Sequence, residues 1–206
     1  VSNSNRKKDY WEIYLDLADV IFGVIIAASF LNFQAILVPF KLNFATMMLL
    51  SAYLTVVLSW IGYHKAVEDK PHKNVSRFVI DLILLYFYFY LIFTNNIKDF
   101  LGVLAAIFLL YLIWVVLRNN EYKKETKEQR RQEHFKIVRS SIFFLAFIIL
   151  WGYYRTYLQG IGDEFLGGKL IDWVMLIIAT SLNILYRVIW PLLSKRFSSS
   201  LSSKSN

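Results

Sequence analysis

Cysteine is absent from this 206-residue chain, proline occurs three times, histidine three times and glycine eight times. Charged residues make up only 18%, against about 25% in a typical soluble domain. Each scarcity removes a class of protein. Without cysteine there is no thiol redox chemistry, no cysteine-ligated zinc and no disulfide scaffold. With so few charges and 57% hydrophobic residues, neither a disordered tail nor an ordinary cytosolic enzyme fits, because a soluble core of this size has no room for that much apolar side chain. Three histidines without HExxH or carboxylate spacing offer no metal site, and GxSxG, P-loop and GxGxxG patterns are missing. No enzyme, cofactor or metal is expected.

What is present is length in apolar runs. A membrane helix needs about 20 mainly apolar residues, and six segments qualify: Tyr14–Phe33, Asn43–Tyr63, Phe78–Phe93, Phe100–Leu117, Ser140–Leu158 and Leu170–Leu193. They are apolar all round rather than alternating, so they read as helices and not as barrel strands. The expected fold is an all-α membrane protein with one six-helix transmembrane domain over residues 1–197. Residues 198–206 (SSSLSSKSN) form a flexible tail. No amino-terminal signal peptide is expected, because segment 1 is too long and has an acidic flank.

Lysine and arginine set the orientation. Of the 23 basic residues, 18 fall before segment 1, between segments 2 and 3, between 4 and 5, or after segment 6. Lys41, Lys98, Arg155 and Lys169 fall on the other side, and Arg187 lies within segment 6. Both termini are therefore expected in the cytosol. Most of the +8 net charge follows from that asymmetry and from contact with anionic headgroups.

Eight basic residues are concentrated between segments 4 and 5, in a cytosolic helical loop of about residues 118–139. No glycine or proline occurs between Val103 and Trp151. Helix 5 is thus expected to start near Tyr122, after a break at Asn119-Asn120, and to project roughly 25 Å into the cytosol. Two readings stay open for it: a solvated helix laced with charge, or a platform. As a platform, Lys123, Lys124, Lys127, Arg130 and Arg131 would bind an acidic partner, a nucleotide or an oligonucleotide. Only Tyr122 and Phe135 are interleaved with these charges, so the nucleic-acid signal is weak.

Ionisable residues inside apolar segments are costly and default to functional candidates. At about 100° per residue, segment 1 carries two acidic stripes. Asp16, Val20, Val24, Ala27 and Leu31 form a slim one, while Asp19, Gly23, Ile26, Phe30 and Phe33 form a bulky one. A slim stripe suits either tight helix packing or a narrow pore lining. Asp19 needs protein neighbours, and Trp60 and His64, four apart on segment 2, can both donate to a carboxylate. Arg187 needs an acid or water, or must snorkel to the interface.

Leu17-Ala18-Asp19-Val20-Ile21-Phe22-Gly23-Val24-Ile25-Ile26, followed later by Trp60-Ile61-Gly62-Tyr63-His64-Lys65, resembles a known pattern. It is that of the six-helix lysosomal and bacterial potassium-channel family with a Phe-Ser-Asp signature in its first helix. Leu17-Ala18 stands where the family has Phe-Ser, Ile13 where it has Arg, and Ala27 where it has Thr or Ser. The resemblance implies a homo-oligomer, a tetramer foremost, conducting monovalent cations through a pore lined by helix 1. Val24 would form the hydrophobic constriction, and Asp19, Trp60 and His64 a structural network. Potassium selectivity is not carried over, because the polar positions of helix 1 are replaced.

Two functions from different classes follow. One is an oligomeric ion channel with a hydrophobic gate, controlled by an acidic ligand on the 4–5 loop. Its setting would be a bacterial inner membrane, as a depolarising effector, or an endosomal or lysosomal membrane. The other is a membrane-anchored scaffold whose 4–5 loop recruits a cytosolic partner.

Overall fold

The computed structural model describes residues 3–37, 41–69, 75–121 and 127–191. Six helices run in chain order: α1 (Asn3–Leu37), α2 (Phe44–Asp69), α3 (Val75–Ile92), α4 (Ile97–Glu121), α5 (Lys127–Tyr153) and α6 (Leu170–Ile184). Each, with α5 and α6 taken together with the π-helical turns that continue them to Leu158 and Ile189, provides a stretch long and apolar enough to cross a membrane, so the chain is an all-α integral membrane protein. With no water to satisfy them in a hydrocarbon layer, backbone amides and carbonyls must bond within each segment, which is why the apolar runs are helices.

α4 is the central element. Phe100, Leu101, Leu104, Ile107 and Phe108 are almost completely buried, and the helix packs against α3, α5 and α6. Phe108 gathers the aromatic core: its ring lies 4.5 Å from Phe147 and 5.0 Å from Tyr186. Gly102 lets α5 approach, since a Cβ there would sit 3.0 Å from the Trp151 indole nitrogen. α1 lies at the edge, against α2 and α3.

The helix ends collect into two groups. At one end, Arg77 at the start of α3 bonds Glu121 at the end of α4 at 2.8 Å. Beside it, Arg118 bonds Glu133 near the start of α5 at 2.6 Å. Arg77, Arg118, Lys136 and Arg139 share this basic end. At the other end, Tyr154 donates to Asp172 at 2.7 Å, and a short hairpin closes the bundle.

The α4–α5 connection differs from its expected form. The helix does not break at Asn119-Asn120 but continues through both to Glu121. Helix 5 is described from Lys127 rather than Tyr122, and residues 122–126 lie outside the described residues. Nor does α5 project alone. Glu133 is buried and held by both Arg118 and Lys136, so the ends of α4 and α5 extend together as a clamped pair. The proposed tail, 198–206, lies outside the described residues.

The hairpin, β1 (Glu164–Phe165) and β2 (Gly168–Lys169), pairs antiparallel and was not foreseen. Its turn, Leu166-Gly167, has φ of 45° and 78°, the two left-handed residues of a tight hairpin turn. The cluster Gly160, Gly162, Gly167 and Gly168 was its signal. Gly168 is required for a different reason: the backbone passes so close to α2 that a Cβ would lie 2.7 Å from the Phe44 ring. The Phe44 amide also donates to the Leu166 carbonyl at 2.9 Å.

Gly168→Ala should therefore lower the melting temperature in detergent, with a loss of about 1–3 kcal/mol from overpacking. Gly152→Ala, in α5 with open space at its Cβ, should be neutral or stabilising by about 0.5–1 kcal/mol. A differential melt of the two variants measures the contrast.

Candidate functional site

α1 presents three faces, and the one turned into the bundle is neither of the two acidic stripes. Ala18, Phe22, Ile25 and Ser29 are buried. Small Ala18 and Ser29 allow close approach, and Phe22 fills the gap between Tyr63 and Tyr88, with ring centroids 6.2 and 6.0 Å away. This stripe escaped sequence reasoning because α1 is nearly uniformly apolar, so no amphipathic pattern marks its inner side.

The slim stripe faces away from the bundle. Val20 is 63% and Val24 58% exposed, and Asp16 and Ala27 are exposed with them. It therefore does not pack against other helices of the same chain. The side chain of Leu31 lies outside the described residues. A carboxylate on this face makes it a poor surface for lipid, since an acid within a spanning helix costs about 2.5–3.5 kcal/mol at mid-depth and less near the interface.

Asp19 sits at the border between the outer and inner faces. His64 Nε2 lies 2.6 Å from Asp19 Oδ1, and Trp60 Nε1 donates to the same oxygen at 3.1 Å. The Trp60 and His64 rings pack edge to face at 5.3 Å. The four-residue spacing on α2 puts both donors on one helix face, where together they pin α1 to α2. The arrangement fixes the rotation of α1, and with it the outward direction of Val20 and Val24.

A second polar system, not identified in the sequence, crosses the core. Arg187 turns to neutral partners in the core, and among the described residues it meets no acid. Its Nε donates to Asn183 Oδ1 at 2.8 Å and its Nη1 to the Tyr111 hydroxyl at 3.0 Å. Tyr88 donates to the same Tyr111 oxygen at 2.6 Å. Asn183 Nδ2 donates to Thr55 at 2.7 Å, and Ser51 shares a 2.6 Å hydrogen bond with Thr180. Four helices and the turn after α6 are joined this way. That turn, Leu185–Ile189, is a π-helical bulge, a distortion found frequently at functional positions. The signals were present as Thr55/Ser59 and Asn183/Arg187, each four apart, but pairing between distant segments is invisible in a single sequence.

Of the basic cluster, Arg130 and Arg131 are exposed on the first turns of α5. Lys123 and Lys124 lie outside the described residues, as does the side chain of Lys127. Among the described residues, no three His, Asp or Glu side chains gather as metal ligands would.

Asn183→Leu removes partners from Arg187 and Thr55 at once and leaves a buried guanidinium short of an acceptor. A loss of about 2–4 kcal/mol is expected, read as a lowered melting temperature. Asn183→Gln, which keeps the amide, should lose less.

No family model, curated protein or solved structure matches the chain.

Proposed function

We propose that the chain is the subunit of a homo-oligomeric ion channel whose pore is lined by α1. The observation that carries this reading is the outward stripe of Asp16, Val20, Val24 and Ala27. It is slim, it bears a carboxylate, and it is held facing outward by Asp19, Trp60 and His64. Lipid is an unfavourable neighbour for such a stripe. The same stripe from symmetry-related copies is a favourable one, because closed rotational symmetry brings identical surfaces around one axis. The likeness of α1 and the end of α2 to the six-helix potassium-channel family supports the same arrangement, with a tetramer foremost and monovalent cations as cargo.

In that assembly Val24, with Val20 and Leu31 on either side, forms a dry ring. A narrow ring of branched apolar side chains expels water, and an ion cannot cross until the ring widens or wets. Asp16, at the mouth, concentrates cations. The clamped α4–α5 end carries Arg130 and Arg131 outward, where an acidic ligand, nucleotide or protein would act on the gate. The positive-inside asymmetry of the sequence supports a cytosolic position for this end and both termini, and the setting in this reading is a bacterial inner membrane or an endosomal or lysosomal one. Catalysis plays no part in this reading.

A membrane-anchored scaffold is the second reading, favoured by the exposed Arg130 and Arg131 on a rigidly held helix. The two differ in what mutation does. In planar bilayers, Val24→Asp or Leu31→Asn should hydrate the constriction and raise conductance by at least tenfold over the parent. Silence of purified protein carrying either change refutes the channel. Under the scaffold reading, charge reversal at Lys123, Lys124, Arg130 and Arg131 abolishes partner capture and leaves ion flux unchanged.

A further inference from the structure

A cavity of about 560 Å³ opens within the basic half of the bundle, a volume in the range of small-molecule sites, roughly 300–1,000 Å³. Five cationic side chains line it, one or more from each of α2, α4, α5 and the turn after α6: Lys65, Arg118, Lys136, Arg139 and Arg187. Among the described residues, Asp81 is the only acid in its wall. Glu133, just outside, neutralises part of Arg118 and Lys136.

Among the described residues, several guanidinium donors in this wall remain without an acceptor. Among the described residues, Arg139 has no carboxylate partner. Its guanidinium rests over the Tyr186 ring at 4.6 Å, and its Nε is buried without an acceptor. Arg187 Nη2 is likewise buried without an acceptor, although Nε and Nη1 are both bonded. Arg118 Nε is a third such donor. Orphaned guanidinium donors are expensive in an apolar bundle, and more so than neutral donors because they are charged. Several of them on residues that line one cavity suit an anion with multiple acceptor oxygens. A phosphate ester meets guanidinium groups with that geometry.

Much of the remaining lining is apolar, interrupted by Ser59 and tyrosine hydroxyls. Phe22, Leu84, Leu85 and Trp114 form its inner surface. Ile61 and Val188, which also line it, are exposed on membrane-spanning helices at 55% and 37%. The opening between α2 and the end of α6 therefore faces acyl chains. A soluble phosphate would leave this lining empty, whereas a phosphate joined to an acyl chain fills both parts.

We propose that this cavity is a binding site for an anionic phospholipid. Its phosphate is held by Arg139 and Arg187, with Lys65 and Lys136 at the rim, and its chain leaves between Ile61 and Val188. Basic pockets between membrane helices are a recurrent way to hold such headgroups. Phe22 puts the ligand in contact with α1, but the binding site stands without the channel reading, and its test measures no ion flux.

Native mass spectrometry of the intact protein in mild detergent tests it. The protein is titrated with phosphatidylglycerol and phosphatidylcholine of identical chains. Phosphatidylglycerol should bind about tenfold more tightly. Arg139→Gln should reduce that preference by about tenfold, in line with loss of one charge-assisted bond. Val188→Trp, which keeps every charge but narrows the opening, should weaken both lipids. Lys98→Gln, at the opposite end of the bundle, should change nothing. Equal binding of the two lipids, or a preference that survives both Arg139→Gln and Val188→Trp, overturns the proposal. A third arm uses inorganic phosphate alone. If phosphate raises the melting temperature in an Arg139-dependent way while phosphatidylglycerol shows no preference, the site belongs to a soluble phosphate and the lipid assignment fails.

Discussion

The guanidinium of Arg187 sets the terms for the core of this bundle. It is charged, it lies in the turn that continues the last apolar helix, and among the described residues no carboxylate pairs with it. Within a hydrocarbon layer an ion in that position must collect neutral oxygens. Asn183, Tyr111, Tyr88 and Thr55 supply them in a chain of hydrogen bonds that joins α2, α3, α4 and α6. Helices in lipid gain no hydrophobic advantage from meeting one another, so a directional polar chain and close aromatic packing decide which helices meet. The π-helical turn at Leu185–Ile189 belongs to the same solution, because it rotates the turn that carries Tyr186 and Arg187.

The polar system at the basic end works by a related principle with different groups. Trp114 lies between two guanidiniums, Arg77 at 4.6 Å and Arg118 at 5.0 Å, and each of those arginines also reaches a carboxylate. Cation–π contact and ion pairing together fasten α3 and α5 onto α4. The result is a rigid base beneath a cavity in which Arg139 and Arg187 rest on aromatic rings and, among the described residues, meet no carboxylate. Rigidity below and unmet donors above are both consequences of packing eight or so basic residues against a bundle with few acids.

α1 occupies a different position in this economy of contacts. It touches only α2 and α3 closely, and its orientation rests on one carboxylate shared by Trp60 and His64. The side left uncovered is slim and carries Asp16. An exposed carboxylate beside valines has little use against acyl chains and a clear use around a symmetry axis. The channel reading rests on that physical point and on the likeness of the α1 and α2 motifs.

Six helices long and apolar enough to cross a membrane were legible in the sequence, as was the clustering of Lys and Arg between alternate segments. They follow from length, all-round apolarity and the positions of Lys and Arg, none of which requires knowing who touches whom. The Asp19, Trp60 and His64 combination was legible too, because each pair of donors on one helix turn points to one acceptor. What only the tertiary structure decided was facing and partnership. An all-round apolar helix carries no moment to tell its inner side from its outer, so Ala18, Phe22, Ile25 and Ser29 could be recognised as the buried stripe only once α2 and α3 were in place. The continuation of α4 through Asn119-Asn120 was decided by the clamp from Arg77 and Arg118, a tertiary contact that overrode weak helix formers. The bond from Arg187 to Tyr111, 76 positions away, and the cavity beside it depend on residues far apart in the chain, and that proximity is created only when the bundle closes.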